Sequence, residues 1–282
     1  MTETIAYINH SLEDVYPPGE IRSLTRLILE QVCGLPPYLL PVSKDKELSK
    51  AQKDAVYRIV ERLKRWEPIQ YILGETTFCG LTFRLTPQVL IPRPETEEMV
   101  ERILGDYAGQ RPTVLDIGTG SGCIAVSLAH NLPGAQVTAL DISGDALCIA
   151  AENARRNQTQ VSFLQADVLA VGATTEAIAG RFDLIVANPP YVKASEKTCM
   201  QKNVLLYEPP PALYVSDRDP LVFYRAIARL SQKKLKENGA LFVEINAQMG
   251  KETTLALKEA GFGSILLLRD ITGKDRFITA RR

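Results

Sequence analysis

The chain has 282 residues, 45% hydrophobic and 23% charged, and its 33 Lys+Arg balance 33 Asp+Glu. That length permits one large domain or two ordinary ones with ample core, and the balanced charge leaves no global field to draw it to nucleic acid. No apolar run is long enough to span a bilayer. Met1-Thr2-Glu3-Thr4-Ile5 has neither a basic lead nor an apolar signal core, so secretion is not expected. With only His10 and His130 available, neither a zinc site nor a Ser-His-Asp triad is expected. Five scattered cysteines, odd in number and without a C-x-x-C pair, read as reduced core thiols of a cytoplasmic protein.

Ile5, Ile8, Leu12 and Val15 recur at helical spacing before Pro17-Pro18-Gly19 interrupts. Ile21, Leu24, Leu27, Ile28 and Val32 predict a second amphipathic helix, stopped at Gly34 with Pro36 and Pro37 beyond. A third helix over Leu48–Trp66 is expected to turn Leu48, Ala55, Ile59, Leu63 and Trp66 inward. Residues 44–65 carry eight Lys/Arg against four Asp/Glu, which suits a solvated face or a partner contact. From Met1 to Leu90 the charges still balance, 11 against 11, so this is no general nucleic-acid grip. A helical bundle is predicted over 1–74, and a hairpin and linker over 75–94. In the latter, Thr77-Phe78-Cys79, a turn at Gly80, then Leu81, Phe83 and Leu85 alternate as paired strands do.

From 95 to 282 the rhythm becomes strand, helix, strand. Apolar runs at 113–117, 137–140, 161–164 and 182–187 alternate with helical patterns at 121–131, 144–157 and 173–179. A helix near 219–236, a strand at 240–245, a helix at 251–260, an apolar segment at 264–268 and a last strand through Phe277-Ile278-Thr279 follow. Such alternation predicts an α/β domain with a mostly parallel sheet covered on both faces.

Val114-Leu115-Asp116-Ile117-Gly118-Thr119-Gly120-Ser121-Gly122 ends a strand in a glycine-rich turn and opens a helix. Glycines let backbone approach a ligand, and a helix N-terminus favours an anion. The dinucleotide fingerprint G-x-G-x-x-G fails, because the third glycine would fall at Cys123 or Ala125. A P-loop fails for want of a following Lys-Ser/Thr. A ligand with a single carboxylate fits instead, namely S-adenosylmethionine (SAM). Gly118, Thr119, Gly120, Ser121 and Gly122 would cradle it. Asp141, ending the second strand, can take both ribose hydroxyls, and Asp167, ending the third, can accept from the adenine amine. A carboxylate after a strand is also a common helix cap, but features at the carboxyl ends of successive strands fall where open α/β sheets bind ligands. Asp116 either holds the loop's N–H groups or meets the SAM amino group.

The fourth strand delivers Asn188-Pro189-Pro190-Tyr191. The prolines fix φ and donate no N–H, and a residue before proline is pushed extended. The result is a rigid lip with two acceptors, the Asn188 side-chain oxygen and the Pro189 carbonyl, beside the Tyr191 ring. It suits a planar group carrying an NH₂, whether a side-chain amide or a nucleobase amine. No base strong enough to deprotonate an amide is in view. The lip would therefore hold both N–H groups, favour a tetrahedral nitrogen and position it for attack, an effect worth about 7–11 kcal/mol in well-oriented reactions. Tyr191 would stack on that planar group or face the methylsulfonium.

Over nearly its full length the chain resembles the PrmC/HemK family of peptide chain release factor N5-glutamine methyltransferases. The resemblance rests on Pro68-Ile69-Gln70-Tyr71-Ile72-Leu73-Gly74, Ile91-Pro92-Arg93-Pro94-Glu95-Thr96-Glu97, Asp116 to Gly122, Asn188 to Tyr191, and Tyr207-Glu208-Pro209. It implies a Rossmann-like seven-stranded sheet with an antiparallel last strand and a helical N-terminal domain that helps engage the release factor. The implied substrate is the glutamine of a Gly-Gly-Gln loop, with SAM and no metal. By the same resemblance Phe78 and Arg93 wall the pocket, although Phe78 also reads as hairpin core. Val168 stands where some relatives carry an aromatic beside the adenine, and would offer its backbone N–H. Asn188, Pro189, Pro190 and Tyr191 are the expected substrate contacts, and Asn188 also borders the SAM site. A monomer suffices, without a membrane or stable nucleic-acid partner. The competing expectations are a DNA or RNA base N-methyltransferase that flips its target, and a SAM-binding module without turnover.

Overall fold

The computed structural model describes residues 1–34, 38 and 47–282, and divides into two compact units. One comprises Met1–Gly74 with Gln201–Tyr207; the other comprises Glu75–Met200 with Glu208–Arg282.

The first unit is helical. α1 (Thr2–Leu12) buries Ile8 and Leu12; α2 (Pro18–Cys33) buries Ile21, Leu24 and Ile28. Proline at the first position of α2 sacrifices only an N–H that the helix would leave unused. Gly34, at φ 62°, closes α2 with its N–H on the Glu30 carbonyl. Pro36 and Pro37 lie outside the described residues. α3 (Lys50–Leu63) starts later than predicted because Ser49 and Gln52 form a reciprocal capping box. Its inward stripe is Val56, Val60 and Leu63, whereas Ala55 and Ile59 flank it only half-buried. Leu48 and Leu63 are buried as predicted, and only the middle of the face differs, where Val56 and Val60 take the inward positions expected of Ala55 and Ile59. α4 (Ile69–Leu73) completes the N-terminal part, and α9 (Lys202–Tyr207) joins it from far along the chain. There the Tyr207 hydroxyl donates to the Arg65 carbonyl at 3.0 Å, and the Lys202 ammonium sits 5.1 Å from the Trp66 ring centre.

The second unit opens with the hairpin β1 (Glu75–Phe78) and β2 (Leu81–Arg84). Cys79 and Gly80 both take positive φ, 47° and 73°, the two-residue turn that suits twisted strands. Phe78 and Phe83 are fully buried, edge to face at 6.1 Å, against Met99 and Ile103 of α5 (Pro94–Asp106) and the sheet's core. Phe78 is therefore core and does not wall the pocket.

A seven-stranded sheet follows: β3 (Thr113–Ile117), β4 (Gln136–Asp141), β5 (Val161–Gln165), β6 (Phe182–Ala187), β9 (Leu235–Glu244), β10 (Ser264–Arg269) and β11 (Asp275–Arg281). Its order is β10-β11-β9-β6-β3-β4-β5, with only β11 antiparallel to its neighbours. α6 (Cys123–Asn131), α7 (Gly144–Arg156), α8 (Val171–Ala177), α11 (Val222–Lys234) and α12 (Gly250–Glu259) connect the strands. Two apolar clusters divide the core. One includes Met99, Val126, Val186 and Phe277, and the other Leu115, Ile185, Ile227 and Val243. Alternate residues of one strand, such as Ile185 and Val186, enter different clusters, which is why these strands read as unbroken apolar runs. This is the Rossmann-like architecture expected, including the antiparallel last strand.

Residues 192–215 carry no predicted element, yet they form β7 (Val192–Lys193), a 3-10 segment (Ala194–Cys199), α9, α10 (Pro210–Leu213) and β8 (Tyr214–Val215). All are too short to show a period. Cysteine burial also differs from expectation: Cys123 is buried, but Cys148 and Cys199 are exposed. Among the described residues no helix is long and apolar enough to cross a membrane.

Candidate active site

The register of the sheet sets the site. Ile117 pairs with Leu140 and with Ala187, Asp141 pairs with Gln165, and Ala187 pairs with Val243. The next residues along these strands therefore emerge side by side at one edge: the Gly118–Gly122 loop, the Asp141 turn, the Asp167 turn, Asn188 and Glu244. Strand order reverses at β3, between β4 and β6, the position at which an open sheet leaves a crevice.

The glycine loop is held by backbone. Gly118 and Thr119 donate to the Leu140 carbonyl at 2.8 and 3.0 Å, and Gly122 donates to Thr119 at 2.8 Å. Gly118 and Gly120 have positive φ, 74° and 54°, and a Cβ on either would meet only open space. Gly122 differs, because at φ 80° a Cβ there would sit 2.9 Å from the Ala150 Cβ. It lets α6 and α7 pack closely. Ser121 is buried, and its carbonyl accepts from Asn153 at 2.9 Å. Asp141 accepts from the Gly120 N–H on one oxygen and the Ser143 N–H on the other, both at 2.9 Å. Each oxygen keeps a lone pair for a further donor. Asp167 caps its own turn through the Leu169 N–H at 2.8 Å, and Val168 packs half-buried on the core.

Asp116 is wholly buried inside β3. Its Oδ2 accepts from the Thr119 hydroxyl at 2.6 Å, while Oδ1 lacks a well-formed hydrogen bond. Burial pushes its carboxyl up to about 7, opposed by the Thr119 hydroxyl and, more weakly, by the Ala125 N–H.

Asn188, Pro189 and Tyr191 line one pocket together with Arg93, Val192 and Leu213; Pro190 is not among its walls. The Asn188 Nδ2 donates to the Thr96 hydroxyl at 3.0 Å, and Thr96 donates to Glu244 Oε2 at 2.6 Å. Tyr191 donates to the other oxygen, Glu244 Oε1, at 3.0 Å. Among the described residues no donor reaches Asn188 Oδ1 or the Pro189 carbonyl. Burial, then the Glu244 charge, holds the Tyr191 phenol well above its ordinary range, so it stays a donor. Burial also raises Glu244, with the Thr96 and Tyr191 hydroxyls opposing. Asn246 further pins this lip, donating to the Tyr191 carbonyl at 3.3 Å and to Glu196 at 3.1 Å.

Arg93, expected to wall the pocket, does line it, and Thr96 and Glu97, in the first turn of α5, add supports that the sequence did not disclose. Arg93 reaches both oxygens of buried Glu208 at 2.6 and 2.7 Å, fastening residues 208–215 beside the pocket. Thr96, in the first turn of α5, meets Asn188 and Glu244. Glu97 accepts from the Cys79 N–H at 2.5 Å and ties the hairpin to α5. Glu244 was missed because it reads as the polar end of an apolar strand. Its place, at the carboxyl end of a strand like Asp141, was the available signal.

Comparisons with known proteins agree with this geometry. The PrmC N-terminal domain family matches residues 3–74, and the methyltransferase small domain family matches residues 96–216. The release factor glutamine methyltransferase of Bacteroides thetaiotaomicron is 45% identical over 283 residues, covering 100% of both chains. Its namesake from Flavobacterium psychrophilum is 44% identical, covering 95% of this chain and 94% of that one. The chain belongs to the release factor glutamine methyltransferases. For the fold of the family's catalytic domain, the T. thermophilus 16S rRNA N2 G1207 methyltransferase, solved with AdoMet and guanosine, is similar at a TM-score of 0.54 and 21% identity. That match covers 74% of this chain and 49% of the other.

Proposed function

We propose that the protein transfers the methyl group of SAM to the side-chain amide nitrogen, N5, of the glutamine in the Gly-Gly-Gln motif of a peptide chain release factor. The observation that carries this reading is the pair of unengaged acceptors, Asn188 Oδ1 and the Pro189 carbonyl, in one pocket beside the glycine loop. Two acceptors match the two N–H groups of a primary amide.

The residues present fit SAM. The open face of Gly118 and Gly120 leaves room for a ligand against the backbone, and Thr119 and Ser121 complete the loop. Asp141 retains lone pairs for two hydroxyls, Asp167 offers a carboxylate oxygen and Val168 an apolar surface for the adenine end. The unpartnered Asp116 Oδ1 suits a cationic amine at the other end. Gly122 contributes by packing α6 beneath the loop. When bound, SAM supplies an electrophilic methyl on a sulfonium.

Chemistry on the protein's side is positioning. An amide nitrogen is a weak nucleophile because its lone pair is delocalised into the carbonyl. Asn188 Oδ1 and the Pro189 carbonyl, each accepting one N–H, hold the nitrogen and favour its pyramidal form, freeing the lone pair for in-line attack. The stiffness of Pro189-Pro190 keeps both acceptors fixed. The Tyr191 ring, anchored through its hydroxyl, gives the amide plane a wall. After transfer the surplus proton leaves the nitrogen for solvent, since neither acceptor is basic enough to keep it. The helical unit engages the release factor, and one chain in the cytoplasm suffices.

The test supplies labelled SAM to the enzyme with purified release factor, short DNA and short RNA in one reaction. Label should appear on the release factor alone. Label on nucleic acid would overturn the proposal.

A further inference from the structure

Asn188 can present either end of its amide to the pocket, and only one end can work. An oxygen facing the substrate accepts an N–H, whereas an NH₂ there would oppose another NH₂. Proline stiffness fixes the backbone but leaves this flip of the side chain unspecified. We infer that Thr96 and Glu244 form a buried relay that fixes the polarity of Asn188, making them positioning residues for methyl transfer. The inference rests on the glutamine-methyltransferase reading above.

The direction of each hydrogen bond sets the polarity of the next. An ionised carboxylate only accepts. Glu244 Oε2, 2.6 Å from the Thr96 hydroxyl, therefore takes that hydroxyl's one proton. The Thr96 oxygen is left with lone pairs only, and 3.0 Å away it can pair with Asn188 solely through Nδ2. Oδ1 is thereby turned to the pocket. The second oxygen of Glu244 does the same for Tyr191, whose hydroxyl donates at 3.0 Å. One carboxylate thus fixes both the amide and the ring of the lip.

Glu244 has no comparable structural use. It is 1% exposed, forms no ion pair among the described residues, and its side chain is satisfied only by these two hydroxyls. A buried charge held this way costs stability that an apolar side chain would not. Thr96 is likewise 3% exposed, in a helix turn whose neighbours Met99 and Val100 already supply the packing.

The experiment compares Thr96→Val, Thr96→Ala, Thr96→Ser, Glu244→Leu and Asn188→Ala with the wild-type enzyme, using release factor as substrate. Turnover, SAM affinity and melting temperature are measured for each. Thr96→Val, Thr96→Ala and Glu244→Leu should each lose roughly 10- to 100-fold in kcat, the worth of one hydrogen bond to a charged group. SAM affinity should stay within about threefold of wild type, and all variants should melt cooperatively. Thr96→Ser, which keeps the hydroxyl, should recover most of the loss. Should Thr96→Val or Glu244→Leu turn over like wild type, the relay is wrong. It is equally wrong if Thr96→Ser is as slow as Thr96→Val while folded, since the position would then act through its methyl group. Asn188→Ala separates the two levels. An active Asn188→Ala would sink the glutamine reading itself, whereas an inactive one with normal Thr96 variants would sink only the relay.

Discussion

The two halves of the candidate site are built on different principles. The cofactor cradle is a matter of backbone shape: Gly118, Thr119 and Gly122 bond to carbonyls of the loop and of β4, and Asp141 accepts only backbone N–H groups. The amide lip is a chain of side chains, running from β9 through α5 to the loop after β6 by way of Glu244, Thr96 and Asn188. The cradle should therefore be sensitive to changes in conformation and the lip to changes in single functional groups. A cradle must accept a ligand that many enzymes share, while a lip must select one nitrogen by the direction of its hydrogen bonds.

Mutations can break that contrast. The largest effect is expected at Asn188→Ala, which should cut turnover roughly 10²- to 10³-fold or more, as loss of one transition-state hydrogen bond does elsewhere. SAM affinity, measured by calorimetry, should barely move. A parallel loss of SAM binding would merge lip and cradle into one unit. At Gly122→Ala the lesion is in shape, because the new Cβ would press on Ala150 in a left-handed backbone conformation. It should lower stability by about 2–4 kcal/mol in chemical denaturation, and an unchanged midpoint would refute the packing account.

Asp116 gives a pH test. Its folded-state carboxyl is raised to about 7 from 3.8, so the folded protein holds a proton that the unfolded chain gives up. Stability from this group is present below about pH 4 and is lost as pH rises through 7. Asp116→Asn removes that slope, and its stability relative to wild type should rise by roughly 2–3 kcal/mol between about pH 5 and 8. Parallel curves for the two proteins would mean that Asp116 does not titrate in this range. The smallest effect is expected for Asp141→Ala, about 10- to 100-fold in SAM affinity by loss of its hydrogen bonds, with kcat near wild type at saturating SAM. If SAM affinity is unchanged, Asp141 is only a loop support.

The same contrast explains what the sequence disclosed. The parallel sheet was legible because its strands are buried on both sides and read as apolar runs. The cradle was legible because backbone shape demands glycines at Gly118, Gly120 and Gly122. Asn188-Pro189-Pro190-Tyr191 was legible as a stiff, polar loop. Its supports were not, because a threonine early in a helix and a glutamate ending a strand each have an ordinary local reading. What gives Thr96 and Glu244 meaning is the pairing of Ala187 with Val243, a long-range fact of register. Arg93 and Glu208 likewise meet across 115 residues, a contact no local pattern announces. The ends of the predicted third-helix face, Leu48 and Leu63, were legible, but adjacent apolar pairs at 55–56 and 59–60 left open which member turns inward, and Val56 and Val60 do. The elements between 192 and 215 span too few residues for a periodic pattern to declare itself.

The central claim is that the lip holds a glutamine amide for methylation. It is tested most directly by tandem mass spectrometry of release factor incubated with the enzyme and SAM. One added methyl is predicted, on the side-chain nitrogen of the Gly-Gly-Gln glutamine, and absent with Asn188→Ala. A methyl on any other residue, or an unmodified glutamine under turnover conditions, would contradict it.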